Sequence, residues 1–137
     1  MPFTLLAIDH VQLAMPPGAE EEGRRFYCGV LGMTELAKPP VLAARGGAWF
    51  GSGGLQLHLG VEEGFRPARK AHPAIRVEGI GELAASLDAA GHPVRWDAEL
   101  PGVRRFYVED PWGNRIEVLE AVPSDPTDPS EPSDPSA

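Results

Sequence analysis

Residues 8–15 (IDHVQLAM) alternate, with His10, Gln12 and Ala14 on one face and Asp9, Val11, Leu13 and Met15 on the other, which predicts a strand. The breaker Pro16-Pro17-Gly18 follows. Beyond it Glu20, Glu21 and Glu22 stand where a helix N-terminus favours negative charge, with Phe26, Tyr27, Val30 and Leu31 at helical spacing and Gly32 as the stop. A poorly patterned strand is expected over residues 33–38, closed by Pro39-Pro40. Residues 48–51 and 55–60 flank Ser52-Gly53-Gly54 and read as a hairpin, with His58 and Gln56 opposite the leucine face of Leu55, Leu57 and Leu59.

After a linker over residues 61–70 the same order starts again. Residues 71–77 (AHPAIRV) form a strand with His72, Ala74 and Arg76 on one face. Residues 81–90 form a helix with Leu83, Ala84 and Leu87 on its buried stripe and Gly91 as the stop. Residues 94–96 are a short strand, and residues 103–108 pair with residues 115–120 across Asp110-Pro111-Trp112-Gly113-Asn114. The chain therefore reads as α+β, two copies of βαβββ. The expected organisation is one domain over residues 1–122, with module one over 5–62 and module two over 70–121.

The order of elements has a consequence for chemistry. His10 and His72 begin the first strands of their copies, 62 residues apart, while His58 and Glu117 lie on the last strands, 59 residues apart. Packed about a pseudo-two-fold axis, the four side chains occupy two pairs of equivalent places. His10, His72 and Glu117 make a two-histidine, one-carboxylate set that suits Fe(II), Mn(II), Ni(II) or Zn(II) and leaves positions open for substrate. His58 is a fourth ligand or an acid/base group. Histidines at strand starts also serve as plain hydrogen-bonding residues, and only the symmetry of placement favours ligation.

The strings IDHVQLAM, RRFYCGVLGM, LQLHLG, KAHPAIRV and RRFYVEDPWGNRIEVLE resemble the vicinal oxygen chelate superfamily of glyoxalase I, fosfomycin-resistance transferases, bleomycin-binding proteins and extradiol dioxygenases. The resemblance covers residues 6–121. It implies paired βαβββ modules forming a curved mixed sheet around a central cavity, a homodimer, and one divalent metal ion, with His10, His72 and Glu117 at ligand positions. At the remaining position glyoxalase I carries a carboxylate where this chain has His58. Extradiol dioxygenases take an acid/base histidine from a similar strand and a tyrosine placed much as Tyr107 precedes Glu117. The function implied is a metal-dependent enzyme of glyoxalase-like (isomerase or lyase) or ring-cleaving type, with His58 and Tyr107 catalytic. The alternative is non-catalytic sequestration of a drug or natural product, as in the bleomycin-resistance branch.

Alternation adds Gln12, Gln56, Arg76 and Arg105 as candidate contacts to a small-molecule substrate, the arginines for a carboxylate, phosphate or enolate. Trp49, Phe50, Phe65 and Trp112 are candidates for an apolar mouth. Cys28 is read as packing, and His92 as a surface residue.

Composition narrows the function classes. The 137 residues carry 12 Lys+Arg and 20 Asp+Glu, net −8, with no stretch both basic and aromatic, so no nucleic-acid partner is expected. No apolar run approaches the roughly 18 residues of a membrane span, and no membrane partner is expected. Residues 123–137 hold four of the acids and a proline at every third position, reading as a disordered acidic tail. One cysteine allows no intrachain disulfide, and residues 1–13 show no basic-then-apolar leader, giving the expectation of a cytoplasmic location.

Overall fold

Two four-stranded mixed sheets are built from the two sequence repeats in the computed structural model, which describes residues 2–122. The first copy runs β1 (Val11–Met15), α1 (Glu20–Arg24), β2 (Thr34–Leu36), α2 (Pro40–Ala43), β3 (Ala48–Ser52) and β4 (Leu55–Val61). The second runs β5 (Ala74–Arg76), α3 (Ile80–Ala89), β6 (Arg95–Asp97), β7 (Val103–Glu109) and β8 (Arg115–Ala121). The strand orders are β1-β4-β3-β2 and β5-β8-β7-β6. In each, the first strand runs parallel to the last and the remaining neighbours are antiparallel. The parallel pairing needs a crossover, which α1 and α3 supply. No helix among the described residues is long and apolar enough to cross a membrane, and the acidic tail expected from residue 123 lies outside the described residues.

Each sheet buries one face. Leu13, Met15, Phe50, Leu57 and Leu59 in the first, and Phe106, Val108, Ile116 and Val118 in the second, join Phe26, Tyr27, Ile80, Ala84 and Leu87 from the helical layer in one buried cluster. Each large side chain taken fully from water contributes on the order of 1.5–3 kcal/mol. The opposite faces carry the histidines, glutamines, tyrosine and carboxylate, so strand alternation alone separates core from candidate chemistry.

Four local features differ from the sequence expectation. The first strand starts at Val11 and not at residue 8, because alternation reports which face is buried and not where an edge strand finds a partner. The fifth strand is likewise cut to Ala74–Arg76: Pro73 has no N–H to give, although its carbonyl accepts from Glu117 N at 3.0 Å. Helix α1 widens into π-helical turns over Arg25–Val30, with Leu31 N donating to Phe26 O at 3.0 Å, and this lets the consecutive Phe26 and Tyr27 both enter the core. Pro39-Pro40 does not merely close β2; Pro40 opens α2, since a proline at the first helical position sacrifices no hydrogen bond.

The Asp110–Asn114 turn ties the two copies together. Asn114 Nδ2 donates to Ala14 O at 2.8 Å and Tyr27 Oη donates to Asp110 Oδ2 at 2.9 Å. The Trp112 indole lies over Gly23, where any Cβ would come within 3.0 Å of it, and its Nε1 donates to Glu22 at 3.3 Å.

Candidate metal and ligand site

Strand register lays the polar residues out in two matching rows. Gln12 on β1 and Trp49 on β3 both face His58, and Leu36 on β2 faces Trp49. In the second sheet Ala74 on β5 and Tyr107 on β7 both face Glu117, and Arg95 on β6 faces Tyr107. His10 and His72 each stand two residues before the first member of their row. The equivalences of His10 with His72, and of His58 with Glu117, are thus properties of the register.

In the first row the rings stack. His58 lies between Trp49, centroids 4.3 Å apart, and His10, 4.0 Å apart, with interplanar angles of 11° and 15°. His10 Nδ1–H donates to Asp9 Oδ1 at 2.8 Å, which leaves Nε2 for a ligand. His58 Nε2 is hydrogen-bonded to Gln56 Oε1 at 3.1 Å. Burial, foremost, and the neighbouring His10 and Lys38 push the His58 pKa below its ordinary value, against an opposing pull from Asp9. These side chains line a cavity of about 590 Å³, together with Gln12, Lys38 and Arg45. Gly60 makes room for one of them: a Cβ there would lie 2.5 Å from Gln12 Nε2.

In the second row His72 Nε2 stands 3.0 Å from Glu117 Oε1, while His72 Nδ1 lies 2.8 Å from Lys70 O. Carbonyl and carboxylate oxygens both only accept, so Nδ1 donates to Lys70 O and Nε2 donates to Glu117 Oε1, the nitrogen and oxygen that a divalent ion would hold in place of that proton. Glu117 is buried, and its other oxygen accepts from Arg105 Nη1 at 3.3 Å. Arg105 also holds Asp97 through Nε at 3.1 Å. The Glu99 N–H, first, and then Arg105 keep the Asp97 carboxyl below the usual range. Tyr107 meets the His72 ring edge-on at 5.8 Å, with Arg105 and Arg115 over its own ring at 5.4 Å.

The expected residues therefore fall into two groups. His10, Gln12, Gln56 and His58 come together on module one, and His72, Arg105, Tyr107 and Glu117 on module two. Among the described residues no three His, Cys, Asp or Glu side chains gather at one point. The donor chemistry nonetheless suits a divalent ion, because both imidazoles have Nδ1 engaged by a protein acceptor, and at His72 the remaining nitrogen meets a carboxylate. Arg76 stands apart, exposed beside Glu78 and Glu120 at the far end of β5. Arg105 is tied to two carboxylates and positions Glu117.

Of the aromatics named as a mouth, Trp49 lines the cavity but Phe50, its neighbour in the strand, points the other way into the core. Trp112 packs on α1, and Phe65 lines none of the described cavities. His92 is half-buried, edge-on to Phe26 at 4.8 Å. Sequence reasoning missed Lys38 and Arg45, which sit outside the strands, where no periodicity marks them.

The family model of the Glyoxalase/Bleomycin resistance protein/Dioxygenase superfamily matches residues 7–118. The chain belongs to this superfamily. Within the glyoxalase superfamily it is similar to a crystal structure from Bacillus anthracis assigned to the glyoxalase family, at 48% identity and TM-score 0.86, covering 89% of this chain and 100% of that one. Two further structures share the fold. Lactoylglutathione lyase from Agrobacterium tumefaciens is 22% identical with TM-score 0.61, covering 83% and 92% of the two chains. TnmS3, an antibiotic binding protein from Streptomyces sp. CB03234, is 24% identical with TM-score 0.66, covering 86% and 100%. No curated protein matches the sequence. The superfamily holds both enzymes and binders, and its members commonly carry a divalent metal.

Proposed function

We propose that the chain is a divalent-metal-dependent enzyme acting on a small substrate with vicinal oxygens, by glyoxalase-like or ring-cleaving chemistry. It works as a homodimer in which His10 of one chain meets His72 and Glu117 of the other. The observation that carries this reading is the pair His72 Nε2 and Glu117 Oε1, 3.0 Å apart, with their outer atoms held by Lys70 O and Arg105. Its complement, His10 with Nδ1 engaged by Asp9, stands just before β1 in the other module of the same chain. An apolar arm leads into His10, with Leu5, Leu6 and Ile8 at 89%, 91% and 81% exposure, and a second chain covers it.

When bound, a divalent ion supplies Lewis acidity toward an enolate or catecholate and leaves positions open for the two oxygens. The protein's own groups do the rest. His58, sandwiched and held neutral by burial, takes a proton from the substrate and returns it. Tyr107 donates a hydrogen bond from its hydroxyl, and Gln12 and Gln56 orient the substrate in the cavity. Arg105 fixes the Glu117 carboxylate.

The test is metal content by plasma mass spectrometry on His10→Ala, Glu117→Ala and their mixture after co-refolding. Each variant alone is expected to lose the metal, and an equimolar mixture to regain one ion per heterodimer, about half an ion per dimer on average when the chains pair at random. Full metal in either single variant overturns the ligand set, and no recovery on mixing overturns the shared site.

Sequestration without chemistry is the second reading. It is favoured by one observation, that the cavity of about 590 Å³ lies on module one and needs neither His72 nor Glu117 to exist. A ligand that binds metal-free protein unchanged, with no turnover in the loaded form, selects it.

A further inference from the structure

The charges around the module-one cavity are few and one-sided. Asp9, Lys38 and Arg45 are the charged side chains in its lining, and Asp9 is committed to His10 Nδ1. Lys38 follows β2 and Arg45 follows α2, so both stand on the β2–β3 connection, which lines the cavity together with the His10–His58–Trp49 stack. The Lys38 ammonium donates to the carbonyl of Gly46, which draws it over the same connection. Among the described residues neither cation is paired with a carboxylate, although the chain carries 20 acids against 12 bases. In an acidic chain the default is for a cation to find an acid, and here two are left facing a cavity.

We propose that Lys38 and Arg45 are the specificity determinants of the site and that its ligand is an organic carboxylate. The acid group lies against this connection, and the vicinal oxygens lie toward His10. This deepens the functional reading above and rests on it for the second half of the ligand. A phosphoryl group fits less well. Such groups are held by backbone N–H at helix starts, and α2 begins at Pro39-Pro40, neither of which has an N–H to offer. Two side-chain cations and no backbone cradle match the two oxygens of a carboxylate. The stacked rings give the cavity a flat wall, so planar acids fit it best.

The test uses two probes that differ only by the acid group, catechol and 2,3-dihydroxybenzoate, titrated calorimetrically into the zinc-loaded full-length protein. Wild type is expected to prefer the carboxylate by about 10-fold or more, the range of a charge-assisted pair in a partly enclosed site. Arg45→Met with Lys38→Met is expected to abolish the preference and leave catechol binding as it was. Arg45→Glu, at an exposed position where folding is not at stake, is expected to reverse it. A wild type without preference, or a preference that survives in both variants, overturns the proposal. Failure of the metal reading looks different. There His10→Ala leaves binding of both probes unchanged, whereas if the metal reading holds it weakens both alike and their ratio stays at the wild-type value.

Discussion

His58 and Glu117 occupy the same place in their two sheets, each on the last strand, flanked by the first strand on one side and by an aromatic residue on the other. His58 sits between Gln12 and Trp49, Glu117 between Ala74 and Tyr107. The duplicated fold thus supplies two equivalent polar positions and gives them different chemistry. At one, a histidine is stacked between rings and its proton affinity is lowered. At the other, a carboxylate is clamped by an arginine and aimed at an imidazole. His58→Ala is therefore expected to leave metal content intact and to lower kcat by about 100-fold or more, the usual scale for loss of a general acid/base. Loss of metal in that variant would instead make His58 a ligand.

Two glycines beside the cavity make opposite predictions. A Cβ on Gly47 would lie 2.1 Å from Leu59 O, a backbone atom, and the residue has φ +83. Gly47→Ala is expected to cost more than about 2 kcal/mol, read from urea midpoints. A Cβ on Gly60 meets only the far end of Gln12, which can turn aside. Gly60→Ala is expected to change stability by less than about 1 kcal/mol and to weaken ligand binding by displacing Gln12. Equal destabilisation by the two would refute this reading of the cavity wall.

The repeat, the helices and the segregation of core from polar faces were legible because each rests on local periodicity, as in Leu57 and Leu59 against His58. The division of the candidate site was not. Nothing in the spacing of His10 and His72 says whether two sheets of one chain close on each other, since that depends on how edge strands β1 and β5 are covered. Lys38 and Arg45 escaped notice for another reason: irregular connections carry no period, and their relation to the cavity exists only once β2 and α2 are folded. Arg76 shows the converse, a residue placed on the expected strand but standing beside Glu78 and Glu120, apart from the module-one cavity.

Asp110 joins the modules at a thermodynamic cost that pH reveals. Its carboxylate accepts from Tyr27 Oη, Trp112 N, Asn114 N and Asn114 Nδ2 at 2.8–3.1 Å. Burial nevertheless raises its pKa above 3.8, outweighing the pull of Asn114, Tyr27 and Trp112. Between 3.8 and the raised value the folded state holds the proton more often than the unfolded chain, so this group's stabilising contribution is full below 3.8 and is lost as pH rises through the folded value. Asp110→Asn removes that titration. The stability of wild type relative to Asp110→Asn is expected to fall with rising pH across that window and to be level at neutral pH, while Asp110→Ala, which strands the donors, costs about 3 kcal/mol.

Glu120 works in the opposite sense. It reaches from β8 to the start of α3 and accepts from Gly79 N at 3.0 Å and Ile80 N at 3.1 Å, doing the work of an N-cap side chain that Gly79 lacks. The Ile80 and Gly79 N–H groups hold its carboxyl below 4.5, so its contribution is present above 4.5 and is lost as pH falls through the folded value. Glu120→Ala is expected to lower Tm at pH 7 and to speed amide exchange at Gly79 and Ile80, with the difference from wild type shrinking in acid. Unchanged exchange at those two amides would remove the cap from the account.

The two candidate histidine ligands are oriented differently, and this gives the last prediction. His72 Nδ1 is fixed by a backbone carbonyl, which no side-chain substitution removes, whereas His10 Nδ1 is fixed by the Asp9 carboxylate, 90% exposed. A carboxylate partner settles the tautomer of a ligating imidazole and makes Nε2 a better donor, and losing such a partner commonly weakens metal affinity by about 10- to 100-fold. Water competes for the exposed pair, which places the loss expected in Asp9→Ala at the lower end, about 10-fold. Asp9→Asn keeps an acceptor for Nδ1–H without the charge and is expected to recover part of it. Competition with a chelating dye for zinc measures both variants. Because the Asp9 side chain is 90% exposed, Tm of the metal-free protein should not move, so an affinity equal to wild type in both would show that His10 does not ligate through Nε2.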